Sequence, residues 1–245
     1  MHSADVVIMD KTSMKSLFAS LIAFYQSSIG KKILVAITGL AMLLFLAGHL
    51  TGNLLIFKGP AAINSYAKWL HSLGGLLWVA RIGLIVALVL HVVATIQLVR
   101  ANRAARPQAY GKQETRKASG ASRTMIWSGV IILSFFIFHL LHFTFGVQNG
   151  FYDESKVRYF VNGEHQVFNM VVDGFKSWGV SGFYILSMGL LCLHLSHGFA
   201  SVFQTLGLTT SGTRMAIELA GKAYALVIFV GNCSIPLAVL LGLVH

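Results

Sequence analysis

Five stretches of this chain are each long and apolar enough to cross a lipid bilayer: residues 34–57, 76–99, 125–147, 180–206 and 220–244. A helix needs ~20 predominantly apolar residues to traverse the hydrocarbon core. Lipid offers no partner to a free backbone group, so only helices and closed barrels can span it. These runs lack the strict alternation of a strand, and they predict five spanning helices. They take up most of the 245 residues, 56% of which are hydrophobic and only 11% charged, so no soluble domain of useful size remains. The expected fold class is an all-α membrane protein. An N-terminal segment at 1–30, with an amphipathic helix over 13–28, precedes a five-helix domain at 31–245. Residues 1–30 are too long and too polar for a cleaved signal peptide, and no small-residue cleavage site is present, so the first helix is expected to be retained.

The formal charge of +11 would point to nucleic acid if the basic residues were clustered in a soluble domain. They follow the helix ends instead. Lys11, Lys15, Lys31, Lys32, Arg100, Arg103, Arg106, Lys112, Arg116, Lys117, Arg123, Arg214 and Lys222 fall on one side, thirteen against the six on the other: Lys58, Lys68, Arg81, Lys156, Arg158 and Lys176. The positive-inside rule then puts the N-terminus in the cytoplasm and His245 outside, which excludes nucleic acid as a partner and predicts contact with anionic lipid or an acidic protein. The cysteines, Cys192 and Cys233, both fall within spans and read as packing residues.

Four of the spans carry one deeply placed histidine each, His49, His91, His139 and His194, with no Asp or Glu beside them. An ionisable group costs several kcal/mol in hydrocarbon and usually marks a functional site. A single buried histidine is more often a hydrogen-bonded structural residue, but four at matched depths point to a cofactor. Neutral imidazole is an axial ligand for haem iron and needs no carboxylate nearby. Two bis-histidine b haems in a five-helix bundle are therefore expected. With a rise of 1.5 Å per residue, His49 lies ~26 Å beyond Lys32 and His139 ~24 Å beyond Arg123. His91 lies ~14 Å before Arg100, and His194 ~22 Å before the end of its helix. His49 and His139 share an outer layer, and His91 and His194 an inner one. His142 and His197 each follow a candidate by three residues on the same helix face, and spacing alone does not choose within either pair. Gly48, Gly52, Gly129 and Gly198 leave room beside the backbone for a porphyrin, or for tight helix packing.

Gly39-Leu40, then Gly48-His49-Leu50 with Asn53, resembles the first helix of the single-chain, five-helix dihaem cytochrome b anchor of succinate:quinone oxidoreductases (succinate dehydrogenase and fumarate reductase). Leu90-His91-Val92 fits the second helix of that family. Ser128-Gly129 with His139 ten residues on resembles the third. His194-Leu-Ser-His197-Gly198, followed by Phe203-Gln204-Thr205-Leu206-Gly207-Leu208, resembles the fourth. The resemblance covers roughly residues 27–244. It selects His194 over His197 and His139 over His142, and it implies helix pairings that agree with the depth layers.

The resemblance also implies a respiratory electron-transport subunit of the bacterial inner membrane, bound on its cytoplasmic side to a flavoprotein and an iron–sulfur protein. Electrons would pass between those partners and a membrane quinone, menaquinone being expected. Succinate chemistry would reside in the partners, since no flavin or dinucleotide motif occurs here. Lys31 and Arg123, at the cytoplasmic ends of the first and third helices, are candidates for the inner haem's propionates. Asn53, Lys58, Tyr66, Trp69 and His71, on an interfacial helix over 61–73 and the helix exit before it, are candidates for an outer quinone site, the alternative being a cytoplasmic-side site near the inner haem. His71 is the first choice because imidazole relays protons near neutral pH.

Other readings weigh less. The dihaem subunits of formate dehydrogenases and hydrogenases usually have four core helices and another histidine distribution. A cofactor-free transporter would need ion-coordinating groups, yet the first four helices hold no acidic residue and no broken-helix pair. A passive anchor that had lost its haem would not be expected to keep all four histidines.

Overall fold

The computed structural model describes residues 11–105, 120–145, 160–161 and 164–245. The basic residues Arg106, Lys112, Arg116 and Lys117, together with Lys156 and Arg158, lie outside the described residues, as do the side chains of Lys11 and Arg123.

Helix α1 (Lys11–Gln26) leads into α2 (Ser28–Asn53) through Ser27, whose hydroxyl accepts from the Gly30 N–H at 2.9 Å and caps the new helix. Leu17, Phe18, Leu21 and Phe24 recur at helical spacing along α1 and are all exposed, the pattern of a helix lying on a lipid surface. A 3₁₀ turn (Leu54–Lys58) continues α2, and Gly59 stops it with φ +90°, a conformation that favours glycine. Pro60 then opens α3 (Pro60–Ser72) at a position where its missing N–H costs nothing. Helices α4 (Gly75–Ala104) and α5 (Gly120–His139) follow, α5 running on into a π turn (Leu140–Thr144). Beyond a two-residue antiparallel ladder (Phe160–Val161 with Glu164–His165) come α6 (Val167–Phe175), α7 (Trp178–Thr205) and α8 (Arg214–Leu240). Gly207, at φ +74°, closes the C-terminus of α7. There the Leu208 N–H reaches the Phe203 carbonyl at 2.9 Å and the Gly207 N–H reaches Gln204 at 3.2 Å, the paired bonds of a Schellman ending.

Five helices are long and apolar enough to cross a membrane, corresponding to α2, α4, α5 with its π turn, α7 and α8. Helix α7 is the hub, packing along α8, α5 and α2, while α4 packs on α2. A Cβ at Gly231 would come within 2.8 Å of the Leu50 side chain, so glycine is what lets α8 approach α2. On α4, Trp78, Val79, Ile82, Ile85, Val86 and Val89 all face outward and Ala94 is the buried residue, as expected where the solvent is lipid. The bundle is a multi-pass membrane fold.

The end carrying Lys31, Lys32, Arg100, Arg103, Arg214 and Lys222 is termed the basic end. The opposite end is closed by more than a connecting loop. Within the connection at 148–177, α6 is a helix with Phe168, Met170, Val172 and Phe175 buried. At nine residues it is far too short to span a bilayer, and it buries its apolar side chains against α3, α7 and α8 instead. Asn64 of α3 holds it by donating to Gln166 at 2.9 Å and accepting from the Phe168 N–H at 3.0 Å. The Ser181 hydroxyl donates to the Phe175 carbonyl at 2.7 Å and ties its far end to α7. Helices α3 and α6 thus cap one end of the bundle over a cluster of Ile56, Ile63, Phe168, Val172, Phe175, Tyr184, Ile235 and Val239.

Candidate functional site

The four span histidines come together as two pairs. His49 on α2 and His139 on α5 meet with ring centroids 5.8 Å apart and planes 88° apart. His91 on α4 is held against α2 and His194 on α7 against α5, one layer closer to the basic end. The two layers are separated by similar lengths of helix in each wall. Thr38, beside His91, precedes His49 by eleven residues, and Ser128, beside His194, precedes His139 by eleven, ~16 Å in both cases.

Each pair is built by particular neighbours. The His91 ring sits against Gly39, where a Cβ would lie 3.4 Å from its Cε1, and His194 sits against Gly129 at 3.8 Å. The His91 Nδ1 lies 3.2 Å from the Val35 carbonyl and 3.2 Å from the Thr38 hydroxyl. A carbonyl only accepts, and the single proton of Thr38 points to the carbonyls of Leu34 and Val35, so Nδ1 of His91 must be the protonated nitrogen. Among the described residues, His194 is held by a hydroxyl alone, without a carbonyl. Its Nδ1 lies 3.2 Å from the Ser128 hydroxyl, which itself donates to the Met125 carbonyl. In His91 the lone pair is left on Nε2, and it is left there in His194 when the Ser128 proton stays directed at the Met125 carbonyl. An imidazole with its Nδ1–H held by an oxygen and its Nε2 available is the form that binds a metal.

The His139 Nδ1 lies 3.3 Å from the Tyr184 hydroxyl, and the His142 Nδ1 lies 2.8 Å from that same oxygen. His142 lies inside the π turn that begins just after His139. On a regular helix, residues three apart point within about 60° of each other, and a wider turn opens that angle. His139 keeps facing His49. His142 turns under Phe138, Phe143, Phe175 and Tyr184, with 0% of its surface exposed. By contrast, His49, His91, His139 and His194 are only half-buried, so each keeps ring surface that a ligand could reach. His49 stacks on Phe45 with centroids 5.3 Å apart and, among the described residues, has no hydrogen bond to its ring. His197 is half-buried one turn beyond His194.

These residues fit a haem. Two imidazoles on opposite sides of one metal ion hold their ring centres about 6 Å apart, given metal–nitrogen bonds of about 2 Å. The outer pair already stands at 5.8 Å, and its crossed planes allow both rings to contain a common axis. Gly48 and Gly198 have open space where a side chain would stand. Gly52 does not, because a Cβ there would run into the Tyr66 ring, so this glycine seats α3 rather than making room for a porphyrin.

The other candidate residues are more dispersed. The Lys31 ammonium donates to the Gln26 carbonyl at 2.9 Å and lies over the Tyr25 ring. Asn53 and Tyr66 are half-buried near the cap, where Tyr66 stacks on Trp69 with centroids 5.8 Å apart. Lys58, Trp69 and His71 are exposed. Thr38, Ser128 and Tyr184 are the site residues that the spacing of histidines could not supply. The signal they carried was a hydroxyl inside an apolar span, which must find a partner there.

The chain matches no family model, no curated protein and no solved structure.

Proposed function

We propose that this protein is the dihaem cytochrome b membrane anchor of a succinate:quinone oxidoreductase, conducting electrons between an iron–sulfur partner and membrane quinone. The observation that carries the reading is the set of held Nδ1 atoms. Three of the four span histidines have that nitrogen on an oxygen of a neighbouring residue, and the fourth faces one of those three. Haem b on two imidazoles supplies reversible one-electron carriage between ferric and ferrous iron. His49 and His139 hold the outer haem, and His91 and His194 the inner one. Val35, Thr38, Ser128 and Tyr184 fix the ring orientations and the tautomer.

Under this reading the basic end faces the cytoplasm and receives a flavoprotein and an iron–sulfur subunit, and Lys31 and Arg123, at the basic ends of α2 and α5, would pair with the inner propionates. The cap end, with Asn53, Lys58, Tyr66, Trp69 and His71, offers the quinone its hydrogen-bond donors. Tyr66 is the best supported of these, since it packs on Gly52 three residues beyond His49. The assembly belongs to a bacterial inner membrane, with menaquinone as its quinone.

A pyridine haemochrome assay of the purified chain tests the proposal: two b haems per chain are expected, and none would refute it. A His71→Ala variant retaining both haems tests the quinone site. Loss of succinate-to-quinone but not succinate-to-dye transfer places His71 there, and unchanged quinone reduction removes it.

A further inference from the structure

Tyr184 is 6% exposed, and its hydroxyl stands between two histidines of the neighbouring helix, 2.8 Å from the His142 Nδ1 and 3.3 Å from the His139 Nδ1. It carries one proton and can donate to only one of them. With His139 read as a ligand through Nε2, its Nδ1 carries the proton and donates to the tyrosine oxygen, which leaves the tyrosine proton for His142. The opposite arrangement would put the proton of His139 on Nε2 and disqualify that nitrogen as a ligand. His142 is therefore built in as an acceptor that aims the tyrosine. The surroundings fix the triad further, with Phe135, Phe138, Phe143 and Phe175 all within ring contact of Tyr184.

We infer that Tyr184 is a positioning residue that, aimed by His142, sets the orientation and donor strength of His139 and thereby the redox potential of the outer haem. This rests on the reading above that His139 is an axial ligand. A ring whose Nδ1–H is held by an oxygen gains imidazolate character and binds ferric iron more strongly. A tyrosine that donates to His142 is a stronger acceptor for His139, because hydrogen bonds in a chain polarise one another. Loss of the tyrosine oxygen therefore raises the outer haem's potential and leaves the inner haem's unchanged.

The experiment is a potentiometric titration of both haem absorptions, with low-spin ferric resonance spectra, on the full chain in membranes. The outer haem is identified as the signal missing from His49→Ala. Tyr184→Phe keeps the ring and removes only the hydroxyl. The expected result is two haems, with the outer reduced-to-oxidised ratio at its wild-type midpoint raised about fivefold, the equivalent of one hydrogen bond. Loss of the outer haem alone also supports the assignment. His142→Leu should shift the outer haem in the same direction by less, and His142→Asn, which restores an acceptor at the Nδ1 position, should return it to wild type. That pair decides the matter if Tyr184→Phe fails to accumulate. Unchanged outer potential and resonance in Tyr184→Phe, or a shift of the inner haem instead, would overturn the inference while leaving the ligands in place. A wild-type chain with no haem would remove the ligand reading itself.

Discussion

The two histidine layers are held by different means. At the inner layer, short groups on neighbouring helices hold the rings: the Val35 carbonyl and Thr38 hydroxyl for His91, the Ser128 hydroxyl for His194, with glycine behind each ring. At the outer layer one long side chain, Tyr184, spans two histidines inside an aromatic cluster that α3 and α6 roof over. The inner arrangement relies on close helix approach. The outer one relies on a large side chain packed among aromatic rings beside the π turn and the cap. A bundle can thus position the same side chain either by bringing backbones together or by packing rings between them.

The largest effect expected is at the ligands themselves. Replacing His139 or His49 by Ala should lower the haem count from two to one per chain and leave the inner layer intact, as read by haemochrome and reduced-minus-oxidised spectra. If His139→Ala keeps both haems and His142→Ala loses one, the register at the π turn is reversed and the contrast between layers fails.

The cap gives a smaller effect. Gly52→Leu drives a side chain into the Tyr66 ring and should cost about 1–3 kcal/mol through overpacking. Heating should then release the outer haem before the inner one, whereas simultaneous loss would mean that the cap supports both layers equally.

At the inner layer, Ser128→Ala removes the hydroxyl that holds His194 and should cost about 1 kcal/mol. Thr38→Ala leaves His91 its Val35 carbonyl, and its cost should be clearly smaller. Comparing the thermal midpoints of the two variants tests whether backbone and side-chain acceptors substitute for each other there. The most local change is Asn64→Ala, which unties α6 from α3 at a partly exposed site. It should cost about 0.5–1.5 kcal/mol and be seen mainly as faster amide exchange in α6.

Length and apolarity were legible from the chain alone, because a membrane span is a local property: some twenty residues decide it without reference to any other segment. The same was true of the amphipathic α3 and of the four histidines and their heights, since rise per residue is fixed by the helix. Rotation about each helix axis was not legible. These spans are apolar on every side, so no stripe marks the inward face. Which nitrogen of His91 is protonated, why Ser128 precedes Gly129, and how Tyr184 reaches His139 and His142 all depend on partners 42 to 66 residues away. Helix α6 was hidden for a related reason. Its apolar run is too short to span a bilayer, and only the packed ends of α3, α7 and α8 give it a surface to bury against. Sequence determined what the helices are and how deep each histidine lies, because those follow from local composition and helix geometry. Tertiary structure decided which way each ring faces and what holds it, because a hydrogen bond across a bundle exists only once the helices have packed.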